Sequence, residues 1–140
     1  MLTSSAPAVQ DLNQGRTRAL CAAGGALAAA IAWIIEVPLM GIHLSIRFGS
    51  GHPQTIGVGQ VIGVSLAASL LGWLLLAALD KRTSRARAVW TGAALVALVA
   101  SLALPLGAAT TTAAAVGLIV MHFAVAAIVI PTMGRSSRTR

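Results

Sequence analysis

The chain has 140 residues, of which 57% are hydrophobic and only 9% are charged. A typical soluble domain has roughly 25% charged residues, so this composition excludes an ordinary water-facing surface and indicates one that faces lipid. Ten Lys and Arg residues against three Asp and Glu residues give a net charge of +7. The basic residues lie in short clusters between long uncharged stretches, without interleaved aromatics. This pattern argues against nucleic-acid binding and for charges at membrane ends.

The first apolar stretch, residues 19–44, follows a polar segment, residues 1–17, that is expected to be a mobile tail. A helix needs roughly 20 residues to cross the hydrocarbon core of a bilayer, so this stretch is long enough to be a span. The same length argues against a cleaved signal peptide, whose apolar region has about 7–15 residues. Residues 47–55 contain three strong helix breakers and are predicted to be a loop.

Three further apolar stretches, residues 56–79, 88–106 and 111–130, are predicted to be spans. The connection between the last two is so short that they should be antiparallel neighbours. Alternating segments of a membrane β-barrel are absent from the sequence. The sequence therefore predicts an all-α, four-helix transmembrane bundle over residues 18–134, followed by a basic tail, residues 135–140.

The distribution of basic residues predicts the topology. The N-terminal flank, the loop after the second span and the C-terminal tail would all lie on one side of the membrane. Together they hold nine of the ten basic residues: Arg16, Arg18, Lys81, Arg82, Arg85, Arg87, Arg135, Arg138 and Arg140. Only Arg47 lies on the other side. The positive-inside rule then predicts a multi-pass protein of the plasma membrane with both termini in the cytoplasm.

Small and hydroxyl-bearing residues are expected to mediate helix packing, because apolar burial does not drive helices together in lipid. The predicted packing positions are Gly59, Gly63, Ser65, Ser69 and Ser101. The same faces are equally suited to a homo-oligomer, and the sequence does not separate the two alternatives. Trp73 and Trp90 lie near the predicted cytoplasmic ends of their spans and are expected in an interfacial aromatic belt. The single cysteine, Cys21, allows no intrachain disulfide and is expected to be buried.

Glu36 is one of two ionisable residues within predicted spans, and such residues are functional candidates by default. Pro38 is expected to kink the helix beside it. If the helix continued, His43 and Arg47 would share the face of Glu36. With Gln60 of the second span they would line a polar vestibule open to the outside. In the alternative interpretation, Glu36 is paired or hydrogen-bonded and only stabilises the bundle.

His122 is the other such residue and is expected near the middle of the fourth span. A hydrogen bond to Ser101, Ser65 or Ser69 would make it structural, whereas a proton relay or a ligand contact would make it functional. His43 and His122 differ in predicted depth, which argues against a haem site. No metal-ligand cluster, phosphate-binding loop or nucleophile motif is present in the sequence. We therefore predict no catalytic residue, no metal and no cofactor.

Several short motifs resemble a known family: Trp90-Thr91, the segment from Ser101 to Leu106, Met121-His122 and Ile130-Pro131. The chain resembles, from about residue 19 to residue 131, a family of four-span actinobacterial membrane proteins of unknown function. That resemblance implies four spans and no particular activity. Small multidrug transporters also carry a carboxylate in the first of four spans. However, their carboxylate lies near the middle of the membrane, and their charge bias is weak.

Two functions follow as hypotheses. The first is a non-enzymatic accessory or self-associating membrane protein, with the lipid bilayer and either a second copy or another membrane protein as partner. The second is a small proton-coupled transporter or ligand-binding membrane protein that uses Glu36 and His122. The burial of Glu36 and the hydrogen-bond partners of its oxygens should discriminate between them.

Overall fold

The computed structural model describes the backbone of residues 6–136 and the side chains of residues 14–136. Its elements are α1 (Ala6–Ile34) with a π-helical extension (Ile35–Leu39), β1 (Ser45–Ile46), β2 (Gln54–Thr55), α2 (Val58–Arg82), α3 (Ala86–Ser101), α4 (Ala103–Ala108) and α5 (Thr112–Arg135). Four helical stretches are long and apolar enough to cross a membrane: Gln14–Leu39, Val58–Arg82, Ala86–Ala108 and Thr112–Arg135. The prediction of an all-α bundle with four spans is confirmed, and the fold indicates a multi-pass membrane protein.

The four spans form a ring. Helix α1 packs against α5 and α2, and α3 completes the ring by packing against the same two helices. Contacts between α1 and α5 run in opposite order along the two helices, from Arg18 beside Ser136 to Glu36 beside Gly117. The two helices are therefore antiparallel. The end of the bundle that carries the described ends of α1 and α5 is called the terminal end, and the opposite end is called the hairpin end.

The limits of the first span differ from the prediction. Helix α1 begins at Ala6, so residues 6–17 are helical where a mobile tail was expected. Residues 1–5 and 137–140, the outer parts of both predicted tails, lie outside the described residues. The span ends at Leu39, five residues before the predicted limit, and Gly41 follows in the left-handed conformation with φ of 68°. A glycine tolerates this conformation without a steric penalty, so the chain can leave the helix axis here.

The third span is interrupted because of Pro105. A proline has no N–H group and its ring clashes with the carbonyl four residues earlier, which here belongs to Ser101. Helix α3 accordingly ends at Ser101, and α4 begins at Ala103. The Ser101 hydroxyl donates to the carbonyl of Leu98 at 2.7 Å within its own helix.

A short β-hairpin at the hairpin end was not predicted. Strands β1 and β2 pair antiparallel, with Ser45 opposite Thr55 and Ile46 opposite Gln54. Of the predicted loop, residues 47–55, only residues 47–53 connect the strands, because residues 54–55 form β2. Strands of two residues are too short to show the alternating pattern from which strands are recognised.

The apolar core has two parts. The part near the terminal end contains Cys21, Leu76, Ala86, Trp90, Val129 and Met133, and the part near the hairpin end contains Ala29, Leu44, Val61, Leu118 and Met121. Trp90 is only 2% exposed, and its indole N–H donates to the Gly72 carbonyl at 2.8 Å. The prediction that Trp90 belongs to an interfacial belt is therefore wrong, because the side chain points into the bundle and finds its acceptor there.

Candidate functional site

Glu36 lies in the π-helical turn that ends the first span. The N–H of Met40 donates to the carbonyl of Ile35 at 3.0 Å, which is the wide spacing of a π turn. Pro38 lies inside this turn and has no N–H to donate, which explains why the regular α-helical pattern stops at Ile34. Isolated π turns are frequent at functional sites because they alter the direction of nearby side chains.

The carboxyl of Glu36 is enclosed by apolar groups. The residue is 5% exposed. A Cβ atom added at Gly117 of α5 would lie 2.8 Å from Glu36 Oε2 and 2.9 Å from Leu44 Cδ2. Only a residue without a side chain therefore fits at position 117 while Glu36 and Leu44 keep their places. The structure thus brings together three residues that are distant in sequence, and it places the carboxyl against the backbone of α5.

Neither oxygen of the Glu36 carboxyl has a hydrogen-bond partner within the described part of the chain. Buried polar atoms in proteins are hydrogen-bonded in the great majority of cases, so each exception requires an explanation. The sequence offered two interpretations: a carboxyl facing open water, or a carboxyl satisfied by neighbouring helices. The structure shows a third arrangement, in which the carboxyl is shielded from water and unsatisfied.

A hairpin cap, residues 44–56, closes this site. The N–H of Ile56 donates to the carbonyl of Leu44 at 2.8 Å, and the indole N–H of Trp33 donates to the carbonyl of Ile56 at 3.0 Å. Leu44 is fully buried beside the Glu36 carboxyl. The predicted polar vestibule is therefore wrong for Glu36, because an apolar side chain covers the carboxyl.

The cap is also fastened to the connection between α4 and α5. The N–H of Arg47 donates to the carbonyl of Ala108 at 2.7 Å, and the N–H of Thr110 donates to the carbonyl of Ser45 at 3.1 Å. The hydroxyls of Ser45 and Thr110 are also hydrogen-bonded to each other. These contacts are few, and they lie at the surface of the bundle. Leu44, Ile46 and Ile56 of the cap pack into the core near the hairpin end, so detachment of the cap would also expose part of that core.

The other predicted site residues at this end do not join Glu36. The side chains of His43, Arg47 and Gln60 are exposed. Gln60 Oε1 accepts from the N–H of Gly57 at 3.1 Å and so caps the start of α2. No hydrogen bond or ion pair within residues 14–136 joins any two of the five predicted site residues. The predicted polar stripe fails because the helix ends at Leu39, so positions 43 and 47 no longer share its face.

His122 is half-buried and bonds within its own helix. Its Nδ1 lies 2.6 Å from the carbonyl of Leu118, so Nδ1 carries the proton and donates. The expected partners Ser101, Ser65 and Ser69 are not used. His122 follows Gly117 by five residues, which is about 140° around an α-helix of 3.6 residues per turn. It therefore lies on a different face of α5 from the one that contacts Glu36.

Four of the five predicted packing residues lie on α2, and they divide into two groups. Ser65 and Ser69 are buried on the inner face of α2, and Ser69 lies opposite Gly25 of α1. Gly59 and Gly63 instead lie on the exposed face of α2, where an added Cβ atom would meet nothing within 4 Å. Their expected role inside the bundle is wrong for this structure, because the inner face of α2 is set by Val61, Ser65 and Ser69.

A buried ion pair at the terminal end was not predicted from the sequence. Arg18 Nη2 lies 2.5 Å from Asp80 Oδ2, and both side chains are 6% exposed. Arg18 also donates to the hydroxyl and the carbonyl of Ser136, at 3.2 and 3.1 Å. This terminal clamp, Arg18, Asp80 and Ser136, ties α1 to the ends of α2 and α5. The sequence feature that could have indicated this ion pair is an acidic residue, Asp80, at the start of a basic segment.

Among the residues that the structure describes, no group of three or more His, Cys, Asp or Glu side chains is arranged to hold a metal ion. The chemistry available at the Glu36 site is therefore that of one carboxyl in apolar surroundings. Such a group can exchange a proton or balance a small positive charge, and it changes its preferred environment when it does so.

Comparison with protein-family models gives a match over most of the chain. A family model described as a family of unknown function, DUF6069, matches residues 11–139. No curated protein matches the chain, and no solved structure matches it either. The expected resemblance to a family of unknown function is confirmed.

Proposed function

The chain belongs to DUF6069, a family of unknown function, and we propose that it is a non-enzymatic, proton-coupled membrane protein in which Glu36 binds and releases a proton beneath the hairpin cap. One observation carries this proposal: the carboxyl is 5% exposed and neither oxygen has a hydrogen-bond partner among the described residues. An ionisable group in a span is costly and marks a functional site by default.

Charge and space indicate what the closed site can hold. Removing an ionised carboxylate from water costs several kcal/mol even after the protein relaxes, so an isolated charge here would be unfavourable. The exposed side chains of His43 and Arg47 make no ion pair with Glu36. A methyl group added at Gly117 would overlap both the carboxyl and Leu44, so little space is left between α5, Glu36 and Leu44. A proton neutralises the carboxyl without requiring any space.

Release of the proton requires access to water, and the cap provides the route. When the cap detaches from Ala108 and Thr110, Leu44 moves away from Glu36 and water reaches the carboxyl. A charged carboxylate favours this open state, whereas a neutral carboxyl favours the closed one. The two states then differ in affinity for a proton, which is the requirement for coupling a conformational change to protonation.

Orientation in the membrane follows from the charges. The terminal end carries the clusters of basic residues, and the hairpin end carries Arg47. The positive-inside rule supports a protein of the plasma membrane with its terminal end in the cytoplasm. The cap then faces outward, and Glu36 exchanges its proton with the outer side.

Labelling of a partly buried cap residue tests the proposal. In a Cys21→Ser background, Ile46→Cys places a thiol where the closed cap packs against the core and leaves Leu44 unchanged, whereas Phe48→Cys carries a thiol that is always exposed. The ratio of their labelling rates with a membrane-impermeant maleimide cancels the pH dependence that the two thiols share. We expect this ratio to rise several-fold from acid to alkaline buffer, and to stay low throughout when Glu36→Gln is added. Identical ratios with and without the Glu36→Gln substitution would contradict the proposal.

A second candidate function, a self-associating or accessory subunit, is favoured by the outer face of α2. Gly59 and Gly63 form a small-residue pair that no other part of the described chain covers, and such pairs allow close approach of helices in lipid. In the Cys21→Ser background, Ala67→Cys on this face should form a disulfide-linked dimer. Val96→Cys on the exposed face of α3 should not. Equal cross-linking at both positions would exclude a specific α2 interface.

A further inference from the structure

An open groove between α1 and α5 at the terminal end has the character of a lipid site. Its volume is about 410 Å³, and it is lined by Thr17, Leu20, Cys21, Ile128, Thr132 and Arg135. This groove is separate from the Glu36 site, which lies at the hairpin end. We propose that the groove binds one anionic phospholipid of the membrane leaflet at the terminal end.

The polar and apolar parts of the groove are separated along the bundle axis. Arg135 and Thr132 lie in the last turn of α5, and Ile128 lies seven residues before Arg135, which is about 10 Å along a helix. Leu20 and Cys21 of α1 continue the apolar wall on the other side. Arg135 thus lies where a lipid headgroup would lie, and the walls of the groove are apolar where an acyl chain would lie. The Thr132 hydroxyl donates to the carbonyl of Ile128 within α5.

The charge at the head of the groove favours an anionic headgroup over a neutral one. Arg135 is exposed. Of the two acidic side chains that the structure describes, Asp80 is paired with Arg18 and Glu36 lies at the opposite end. Arg135 therefore offers its charge to a phosphate. Arg18, in contrast, is held in the terminal clamp and does not contribute.

The position of the groove matches the boundary of the bilayer. It lies at the ends of the first and fourth spans, Gln14–Leu39 and Thr112–Arg135. A lipid that stands in its leaflet there presents its phosphate at the level of Arg135. Its acyl chain runs toward Ile128, so no lipid needs to leave the membrane to bind.

Native mass spectrometry of the full-length protein in mild detergent tests this site. Phosphatidylglycerol and phosphatidylcholine with identical acyl chains are titrated, and the apparent affinity of each is measured. We expect tighter binding of phosphatidylglycerol. Arg135→Gln should weaken this binding roughly fivefold, the effect of one basic side chain near an anionic lipid surface.

The matched control is Arg87→Gln, an exposed arginine at the terminal end that does not line the groove. It should leave phosphatidylglycerol binding unchanged. Leu20→Trp, at a residue that is 64% exposed and hence tolerant of a larger side chain, should fill the groove and weaken both lipids. Equal losses in Arg135→Gln and Arg87→Gln, or equal affinity for the two lipids, would overturn the proposal and indicate only general surface attraction. Circular dichroism verifies that each variant retains its helices.

Discussion

Glu36 of the first span and Gly117 of the fourth span fit against each other so closely that a Cβ atom at position 117 would lie 2.8 Å from Glu36 Oε2. The absence of a side chain on Gly117 creates the space for the carboxyl, and Leu44 of the cap closes that space. The site therefore depends on a glycine that contributes only the space left by its missing side chain.

Gly117→Ala should loosen the cap and lower stability. The added methyl overlaps Glu36 and Leu44, and overpacking of this kind costs about 1–3 kcal/mol, partly offset by the higher helix propensity of alanine, roughly 1 kcal/mol. We expect a small decrease in the midpoint of thermal unfolding in detergent.

The control for this substitution is Gly92→Ala in α3, where the added methyl meets nothing within 4 Å. It should be neutral or slightly stabilising. The double variant Glu36→Ala, Gly117→Ala lacks the carboxyl that the added methyl group overlaps. It should therefore recover part of the stability that Gly117→Ala loses. Equal effects at positions 92 and 117 would show that the close contact at Gly117 has no energetic consequence.

Removal of one partner from the terminal clamp should be strongly destabilising. Asp80→Asn leaves the buried Arg18 guanidinium without its counter-charge, and loss of one partner of a buried pair costs about 3–5 kcal/mol. Thermal unfolding measured in detergent should show a decrease of several degrees. Arg18→Lys should give an intermediate loss, because an ammonium group cannot bond both Asp80 and Ser136 in the geometry of the guanidinium.

A double-mutant cycle isolates the pair itself. Arg18→Met combined with Asp80→Leu removes both charges and should recover much of the stability that either single change loses. Additive losses in the double variant would mean that the two side chains act independently, contrary to the 2.5 Å ion pair.

The proposed orientation predicts opposite accessibility of the two ends. In the Cys21→Ser background, Ser50→Cys in the exposed turn of the cap should react with an impermeant maleimide in intact cells. Ser84→Cys, exposed between α2 and α3, should react only after the cells are opened. The reverse pattern would place the termini outside and contradict the charge argument.

The four spans could be predicted because each is a long apolar run, and the length of such a run follows directly from the thickness of the bilayer. The interruption of the third span just before Pro105 could also be anticipated from one residue type. Buried positions of the first span, among them Arg18, Ala22, Gly25 and Ala29, recur every three or four residues, and Glu36 follows Ala29 by seven residues, about two turns. This periodicity carries Glu36 onto the inner face and was available in the sequence.

The details of the site could not be predicted in the same way. The end of the helix at Leu39 depends on a π turn, and the covering of Glu36 depends on contacts between Leu44 and α5, which are distant in sequence. Gly117 and Gly63 cannot be distinguished by residue type, yet Gly117 faces Glu36 and Gly63 faces outward. The sequence around Arg18 predicts only a topological charge, and the proximity of Asp80 and Ser136 in the structure reveals its role in packing.

The central claim is that the Glu36 carboxyl stands in apolar surroundings without a hydrogen-bond partner and takes up a proton there. Infrared difference spectroscopy of the reconstituted protein between acid and alkaline buffer tests it most directly, since an isolated protonated carboxyl absorbs at a higher frequency than one bonded to water. We predict a high-frequency carboxyl band that disappears in Glu36→Gln and persists in Asp11→Asn. A spectrum with only the bands of hydrated carboxyls, or a high-frequency band that survives in Glu36→Gln, would contradict the account.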